Sequence, residues 1–355
     1  MARSPSKPSR ARKLPPAPSL LIVSTGCPAG IGPEVSVAAA AALRNSAPCV
    51  LVGSSAVMLR AAKLLGVAAS VFEPFSGQAP AAGKIALYEA GPKLGLKDFR
   101  AGKPSKQAGV AQLEYIEQAY ALTRSAPGRV LVTGPVSKLA IASSGLRRAR
   151  KFLGHTEWLR DLDGAKHSTM CFAGEKLVTS LVTTHLPLAH VPAALTAEGV
   201  AEATIQLGHL LRAMGTIKAR IAIASLNPHA GEGELLGSEE RRAIVPGLQR
   251  ARRTLGRSAE LIGPIGAETA YRKAYAGAYD GVVAMYHDQA TIPMKLVSFG
   301  DAVNVTMGLS VVRTSVDHGT AYDIAWRGKA DMRGMQSAME LAARLAVDKL
   351  AEGRA

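Results

Sequence analysis

The stretch Leu20-Leu-Ile-Val-Ser-Thr-Gly-Cys-Pro-Ala-Gly-Ile-Gly-Pro-Glu34 begins the regular part of the chain. Its first five residues form an apolar run typical of a buried strand, and an Ala-rich helix is predicted from Glu34 to Leu43. The glycines between them allow a tight turn, and a helix N-terminus favours anions. The stretch lacks the dinucleotide-binding order G-x-G-x-x-G. It therefore fits either a packing turn or an anion-binding turn.

Apolar runs and Ala- and Leu-rich segments alternate along the rest of the chain, which is typical of parallel βαβ units. The predicted strands are 20–24, 49–52, 129–133, 177–183, 219–225 and 281–285. The predicted helices are 34–43, 56–65, 108–125, 197–214, 238–255 and 266–277. This order predicts an α/β fold.

The length of 355 residues is enough for two domains with large cores. We predict two α/β/α domains with a cleft between them. The first domain takes residues 19–135 and 290–355, and the second takes residues 136–289. Residues 1–18 are rich in Pro, Ser and Arg and contain no acid, so they are predicted to form a disordered basic tail.

The composition argues against several classes of protein. Hydrophobic residues make up 48% of the chain, but no apolar run approaches the roughly 20 residues of a membrane span. The first residues lack the apolar segment of a secretory signal. The three cysteines form no C-x-x-C pair, which is typical of proteins in a reducing compartment. We expect a cytoplasmic protein without a membrane partner.

The net charge of +16 raises the possibility of nucleic-acid binding. Part of the excess lies in residues 1–18, and the rest is spread along predicted helices, as at Arg241 and Arg242, with few aromatic residues between. No recognised nucleic-acid-binding module accompanies this charge. We therefore expect no nucleic-acid partner, and the positive field would instead attract an anionic substrate.

Three histidines follow predicted strands. They stand in Val182-Thr-Thr-His185-Leu-Pro187, in Ile221-Ala-Ile-Ala-Ser-Leu-Asn-Pro-His229-Ala-Gly-Glu232 and in Val282-Val-Ala-Met-Tyr-His287-Asp-Gln289. Open α/β sheets bind ligands at strand ends, and three neutral imidazoles would hold a divalent metal with positions left for substrate. Any one of these histidines could instead be an ordinary loop residue, and their spacings match no short metal motif.

Further motifs carry groups suited to anions. Lys138 follows a predicted strand, and His155 and Thr156 stand at a helix start, where a capping turn is the simpler interpretation. The stretch Tyr286–Asp331 mixes charged residues with glycine in the manner of a site. Within it, Lys295 and Arg313 are candidates to bind anionic groups of a substrate, the arginine through its bidentate fork.

Taken in order, these motifs resemble those of the 4-hydroxythreonine-4-phosphate dehydrogenase family of pyridoxal-phosphate biosynthesis. The matching stretches, from about Ser19 to Leu350, are GCPAGIGPE, TGPVSK, GHTE, TTHLPL, LNPHAGEGE, YHDQ and VVRTSVDHGTAYDIA. The resemblance implies NAD-dependent, metal-dependent oxidation of 4-phosphooxy-L-threonine. The β-keto acid so formed would lose CO2 to give 3-amino-2-oxopropyl phosphate.

The resemblance also assigns residues. It implies a divalent metal on His185, His229 and His287, with zinc expected and cobalt or magnesium as alternatives, at a site completed by both subunits of a homodimer. It implies substrate contacts at His155, Thr156, Lys295, Asn304 and Arg313. Lys295 or Asp288 is the expected general base.

The segment His318–Asp331 is similar, in addition, to the adenosine-binding loop of isopropylmalate and isocitrate dehydrogenases. This second resemblance implies a fold like theirs and NAD, or NADP, bound through His318, Gly319, Thr320 and Asp331. The chain departs from the family at Cys27, where an acid is usual, and at Glu268, where Asp is common.

Other functions remain open from the sequence. The nearest is a sister enzyme that uses the same metal and NAD on another phosphorylated hydroxy acid. A phosphate acyltransferase would share the α/β layout without metal or NAD. A basic scaffold or nucleic-acid binder would show steeply salt-dependent binding to polyanions.

Overall fold

The computed structural model describes residues 20–298 and 300–352. The predicted basic tail, residues 1–18, lies outside the described residues. Among those described, no helix is both long and apolar enough to cross a bilayer.

Twelve strands of the described residues form one sheet. The strands are β1 Leu20–Ser24, β2 Cys49–Gly53, β3 Phe72–Pro74, β4 Ile85–Glu89, β5 Arg129–Thr133, β6 Thr169–Ala173, β7 Val178–Leu181, β8 Ala219–Ala224, β9 Ala259–Ile265, β10 Gly281–Ala284, β11 Val303–Met307 and β12 Arg313–Val316. Their order across the sheet is β3-β4-β2-β1-β5-β12-β11-β6-β7-β10-β8-β9.

Helices are packed on both faces of this sheet. They are α1 Gly32–Leu43, α2 Ser55–Leu64, α3 Lys106–Arg124, α4 Lys138–Ala142, α5 His155–Asp163, α6 Val191–Ala194, α7 Ala197–Ala213, α8 Val245–Leu255, α9 Ala267–Tyr275, α10 His287–Val297 and α11 Arg333–Glu352. Leu21 and Val23 of β1 pack in a core with α1 and α11, whereas Leu20 and Ile22 pack in a core with α3. Burial on both faces explains the continuous apolar run in this strand. The predicted α/β fold is confirmed.

The strand direction reverses near the middle of the sheet. β12, β5, β1 and β2 are parallel, and so are β7, β10, β8 and β9. Between them, β11 is antiparallel to β12 and β6, and β6 is antiparallel to β7. Strands of the predicted first domain fill one half of the sheet, those of the second fill the other, and the β11–β6 pair joins the halves. The division into two domains stays a prediction.

Most predicted bounds differ from the structure by one or two residues, and two larger differences concern the candidate site. The helix predicted over 238–255 begins with a π-helical turn at Glu240–Ile244 before α8. The strand predicted over 177–183 is shorter, because β7 ends at Leu181. Both differences lie next to the segments that carry His185 and His229, so they shape the candidate site.

Candidate active site

Polar side chains line one face of the three central strands β5, β12 and β11. The register places Thr133 opposite Ser315, Ser315 opposite Asn304, and Arg313 opposite Thr306. Residues directly opposite each other on neighbouring strands share a face of the sheet. This stretch of the sheet therefore presents hydroxyl, amide and guanidinium groups where the flanking strands present apolar side chains.

Arg313 is the cation of this polar face, and it is only 2% exposed. Its guanidinium donates to the Thr133 hydroxyl from Nη2 at 2.7 Å and to the Thr306 hydroxyl from Nη1 at 2.8 Å. Burial lowers the pKa of Arg313 to about 9, and the Glu157 carboxylate opposes this shift. Among the residues described, no carboxylate lies within ion-pair distance of it. A buried cation bonded only to hydroxyls is a strong site for an anion.

Helix α5 brings its first turn against the polar face. Thr156 Oγ1 lies 3.5 Å from Thr306 Oγ1. His155 Nε2, Glu157 Oε2 and Asn304 Oδ1 are buried and have no hydrogen-bond partner in the part of the chain that the structure describes. Burial, and then the charges of Arg313 and Lys138, hold the pKa of His155 well below its usual range. The imidazole is therefore neutral, and its free nitrogen is available to a ligand.

A cavity of about 130 Å³ opens between the ends of β5 and β12 and the start of α5. Its lining combines groups from several predicted motifs: Thr133, Gly134, Pro135, Val136, Lys138, Gly154, His155, Ser315, Val316 and His318. The TGPVSK, GHTE and DHGT motifs thus meet at one place, which their distances along the chain do not reveal.

His185 and His287 are brought together by neighbouring strands. β7 and β10 are parallel neighbours in the sheet. The ring centroids of the two histidines lie 5.6 Å apart, just beyond the ends of these strands. His185 Nδ1 lies 3.4 Å from Glu157 Oε1, and His287 Nδ1 lies 2.7 Å from Asp288 Oδ1. Metal-ligating imidazoles commonly donate one nitrogen to a carboxylate and bind the ion with the other. The pair therefore fits two ligands of a divalent metal.

His229 follows β8, the strand beside β10, so it leaves the sheet at the same edge as the other two histidines. Its backbone has φ +53° and that of Ala230 has φ +55°, a conformation that costs free energy for residues other than glycine and is common at functional sites. The buried Glu240 holds the turn by accepting from the backbone N–H groups of Leu226 and Asn227, both at 2.9 Å. Nevertheless, no three His, Cys, Asp or Glu residues of the described chain are arranged to hold a metal. One chain assembles two of the three predicted ligands.

The two candidate bases occupy different positions. Asp288 is exposed and bonded to His287, as described above. Lys295 is exposed on α10, and its charge, with those of His318 and His287, stabilises the ionised form of Asp317. Burial outweighs these charges and raises the pKa of Asp317. Lys295 is thus near the residues that surround the histidine pair, and its amine is not engaged by a described carboxylate within ion-pair distance.

The segment 318–331 packs on the glycine turn that follows β1. The Thr320 carbonyl accepts from Ile31 N at 3.0 Å, and a Cβ on Gly30 would come within 2.8 Å of the same carbonyl oxygen. His318 Nε2 is buried without a hydrogen-bond partner among the described residues, while Asp331 accepts from the side chain of Arg333. The glycines of the turn therefore serve close packing, and the free His318 nitrogen gives the segment 318–331 a group that fits a cofactor.

Sequence reasoning missed several residues of the site. Thr133 and Thr306 hold Arg313, and Glu157 contacts His185. Glu157 ends the GHTE motif, so its place two residues after His155 could have pointed to it. Thr133 begins the TGPVSK motif, whereas Thr306 lies outside the recognised motifs, and only strand register brings either threonine to the arginine.

Comparisons with known proteins bear on the whole chain. Residues 45–342 match the sequence model of the family described as pyridoxal phosphate biosynthetic protein PdxA. The chain is 40% identical over 331 residues to a Geobacter metallireducens protein named 4-hydroxythreonine-4-phosphate dehydrogenase, covering 92% of this chain and 95% of that protein. It is 36% identical to a Salmonella typhi protein provisionally named D-threonate 4-phosphate dehydrogenase, covering 91% of this chain and 98% of that one.

A solved structure agrees with these sequence comparisons. The crystal structure of 4-hydroxythreonine-4-phosphate dehydrogenase from Klebsiella pneumoniae superimposes with a TM-score of 0.79 at 35% identity. The match covers 93% of this chain and all of that chain, 100%. The similarity therefore extends over both halves of the sheet and the site between them.

Proposed function

Because the chain belongs to the pyridoxal phosphate biosynthetic protein PdxA family, we propose that it oxidises 4-phosphooxy-L-threonine with NAD and releases CO2 to give 3-amino-2-oxopropyl phosphate. The observation that carries this proposal is the buried Arg313, bonded only to hydroxyls beside the neutral His155. A phosphorylated substrate supplies the anion that such a group lacks. Arg313, His155 and Thr156 bind the phosphate, and Asn304 offers its free oxygen to a polar group of the substrate.

The metal of the proposal is a divalent cation, with zinc expected and cobalt or magnesium as alternatives. His185 and His287 would hold it in one subunit, together with His229 of the partner subunit. When bound, such a cation acts as a Lewis acid on the oxygen of the reacting carbon. Glu157 and Asp288 orient the two imidazoles through contacts with Nδ1 at 3.4 Å and 2.7 Å, which leaves each Nε2 directed away from its carboxylate.

The large exposed leucines support the homodimer. Each of the three histidine segments carries one beyond its histidine: Leu188 is 68% exposed, Leu235 is 82% exposed and Leu296 is 80% exposed. Exposed apolar side chains are typical of interaction surfaces, and these three follow the histidines along the chain. A second copy that covers these leucines would also bring its own His229 loop to the histidine pair.

The cofactor of the proposal is NAD, or NADP, held by His318, Gly319, Thr320 and Asp331. The bound cofactor would supply the acceptor for the hydride that leaves C3 of the substrate. The free His318 nitrogen supports this assignment, because a buried nitrogen without a partner costs free energy until a ligand bonds to it. The Asp331 carboxylate accepts hydrogen bonds from the backbone N–H and the side chain of Arg333, which restrict its orientation.

Lys295 is the residue best placed to move the proton. Its amine accepts the proton of the C3 hydroxyl as the hydride leaves C3. After the bond from C2 to the carboxyl carbon breaks and CO2 departs, the ammonium returns a proton to C2. Asp288 is less suited to this role because its carboxylate already accepts from His287. General acid–base catalysis requires a group that is free to reach the reacting atom.

Replacing Lys295 and Asp288 in turn distinguishes proton transfer from the orientation of a metal ligand. Lys295→Met is expected to lower kcat by about 10²- to 10⁴-fold, the usual contribution of a positioned acid–base group, while bound metal stays at the wild-type level. Asp288→Asn is expected to weaken metal binding by about 10- to 100-fold, as for other residues that orient ligands. The two variants are compared by measuring steady-state kinetics and metal content on the same preparations. Loss of metal in Lys295→Met, or full metal affinity in Asp288→Asn, would contradict the assignment.

The proposed function is tested by following NADH absorbance with purified protein, NAD and 4-phosphooxy-L-threonine. NADH is expected to form, to stop forming after chelation, and to form again when Zn²⁺ is added back. Release of CO2 in equal amount would support the decarboxylation. Undiminished turnover after complete removal of metal would contradict the metal dependence.

A second candidate is oxidation of another phosphorylated hydroxy acid by the same groups. It is favoured by the Salmonella typhi relative, whose identity of 36% is close to that of the first relative. D-Threonate 4-phosphate in the same assay distinguishes the two, since only the preferred substrate should combine a low KM with a high kcat.

A further inference from the structure

Glu34 is a buried acid that neither the metal site nor the substrate site uses. It lies in the first turn of α1 and is 1% exposed. Its Oε2 accepts from the backbone N–H of Trp326 at 2.6 Å, and its Oε1 accepts from the backbone N–H of Gly328 at 2.9 Å. Among the described residues it has no cationic partner within ion-pair distance. The whole carboxylate is therefore used to hold the backbone of a segment almost 300 residues later in the chain.

Trp326 and Gly328 lie within the proposed cofactor segment, 318–331, and the backbone conformation of this segment requires support. Ala321 has φ +42° and Trp326 has φ +61°, a region that is unfavourable for residues with a side chain. Such conformations persist only where the surroundings impose them. Besides Glu34, the Pro28 carbonyl accepts from Trp326 Nε1 at 3.0 Å, and the guanidinium of Arg60 lies 5.0 Å from the Trp326 ring. The turn after β1 and helices α1 and α2 thus enclose Trp326.

The same geometry argues against an anion-binding role for the glycine turn. Three of its N–H groups are occupied, since Cys27 N donates to the Pro135 carbonyl at 2.8 Å, Gly30 N donates to the Cys27 carbonyl at 3.1 Å and Ile31 N donates to the Thr320 carbonyl. The Glu34 carboxylate would also repel a phosphate at the start of α1. The turn acts on the cofactor only through the loop that it supports.

We propose that Glu34 is a positioning residue for NAD. Its carboxylate fixes residues 326–328, so that His318, Gly319 and Thr320 keep the conformation that binds the cofactor. This inference rests on the proposed function, because that function assigns NAD to the segment 318–331. It predicts that damage at Glu34 raises the dissociation constant of NAD while the substrate and metal sites, which Glu34 does not contact, stay intact.

The test measures NAD binding by calorimetry on the metal-loaded, full-length protein. Glu34→Gln keeps the shape but turns an amide N–H₂ toward a backbone N–H, so the dissociation constant is expected to rise about tenfold or more, as one charge-assisted hydrogen bond is lost. Glu34→Asp keeps the charge but is too short to reach both N–H groups, and a smaller rise is expected. Glu89→Gln is the control, since its exposed carboxylate also accepts a backbone N–H bond, but from Ser55.

The outcomes separate the alternatives. Weaker NAD binding with KM for the substrate and metal content within about twofold of wild type supports a positioning role, whereas a merely structural role would weaken all three together. Wild-type NAD affinity in both Glu34 variants overturns the inference and leaves the proposed function intact. Absence of NAD binding in the wild-type protein overturns the NAD assignment and this inference with it.

Discussion

Arg313→Met is expected to raise the KM for the phosphorylated substrate by about 10²- to 10³-fold, since truncating one side of a buried, charged contact costs roughly 3–4 kcal/mol. Arg313 donates to Thr133 and Thr306, and burial disfavours its charge, as its lowered pKa shows. No carboxylate of the described residues lies within ion-pair distance of the guanidinium, and the substrate phosphate is expected to supply the counter-ion. Steady-state kinetics over a wide range of substrate concentration measure the effect.

The same substitution distinguishes binding from folding. Methionine has a similar length and carries no charge, so the melting temperature of the free variant is expected to equal or exceed that of the wild type, because replacing a buried charge by an apolar side chain is often neutral or stabilising. Inorganic phosphate or substrate should raise the melting temperature of the wild type and not of the variant. Arg148→Met, which removes a surface arginine paired with Glu117, serves as the control. An unchanged KM and kcat would remove Arg313 from the site.

The buried strands could be predicted from the sequence, whereas the short polar strands could not. β1 and β5 have the predicted bounds, because their apolar runs are buried on both faces of the sheet. β12, by contrast, reads Arg313-Thr-Ser-Val316 and carries polar side chains into the interior. Such a segment shows no apolar periodicity, so the sequence indicated a charged site there and not a strand. The polar side chains that remove the apolar pattern from β12 are the same side chains that form the candidate site.

Site residues could be predicted where each one directly follows an apolar run. They could not be predicted where they are identified only by a contact between distant parts of the chain. His185 and His287 were selected because each follows an apolar run, and parallel pairing of β7 and β10 places them side by side. The contact of Arg313 with Thr133 spans 180 positions along the chain, and that of Glu34 with Trp326 spans 292. Contacts of this kind follow from strand order and register, which one sequence does not specify.

His229→Ala is expected to lose bound metal and nearly all turnover, although His229 is exposed and lies outside the His185–His287 pair of its own chain. The physical reason is that a two-histidine site is much weaker than the three-ligand sites of catalytic metals. Metal content after dialysis and the rate of NADH formation measure the two effects. His209→Ala, which removes another exposed histidine, on α7, is the control. A variant that keeps metal and near wild-type turnover would refute the three-histidine site.

Mixed dimers then decide which subunit His229 serves. If it completes the partner's site, a dimer of one His229→Ala and one Arg313→Met subunit has one intact site, in the subunit that keeps Arg313 and receives His229 from the other. Random mixing of the two variants, assayed at a substrate concentration near the wild-type KM where Arg313→Met subunits are nearly inactive, should therefore restore roughly a quarter of wild-type activity, since half the dimers are mixed and each has one working site of two. If His229 serves its own chain, every site in every dimer lacks a ligand or the arginine, and the mixture stays inactive. The exposed leucines in the segments that follow the three histidines favour the first result, because a second copy that covered them could carry its His229 loop to the pair.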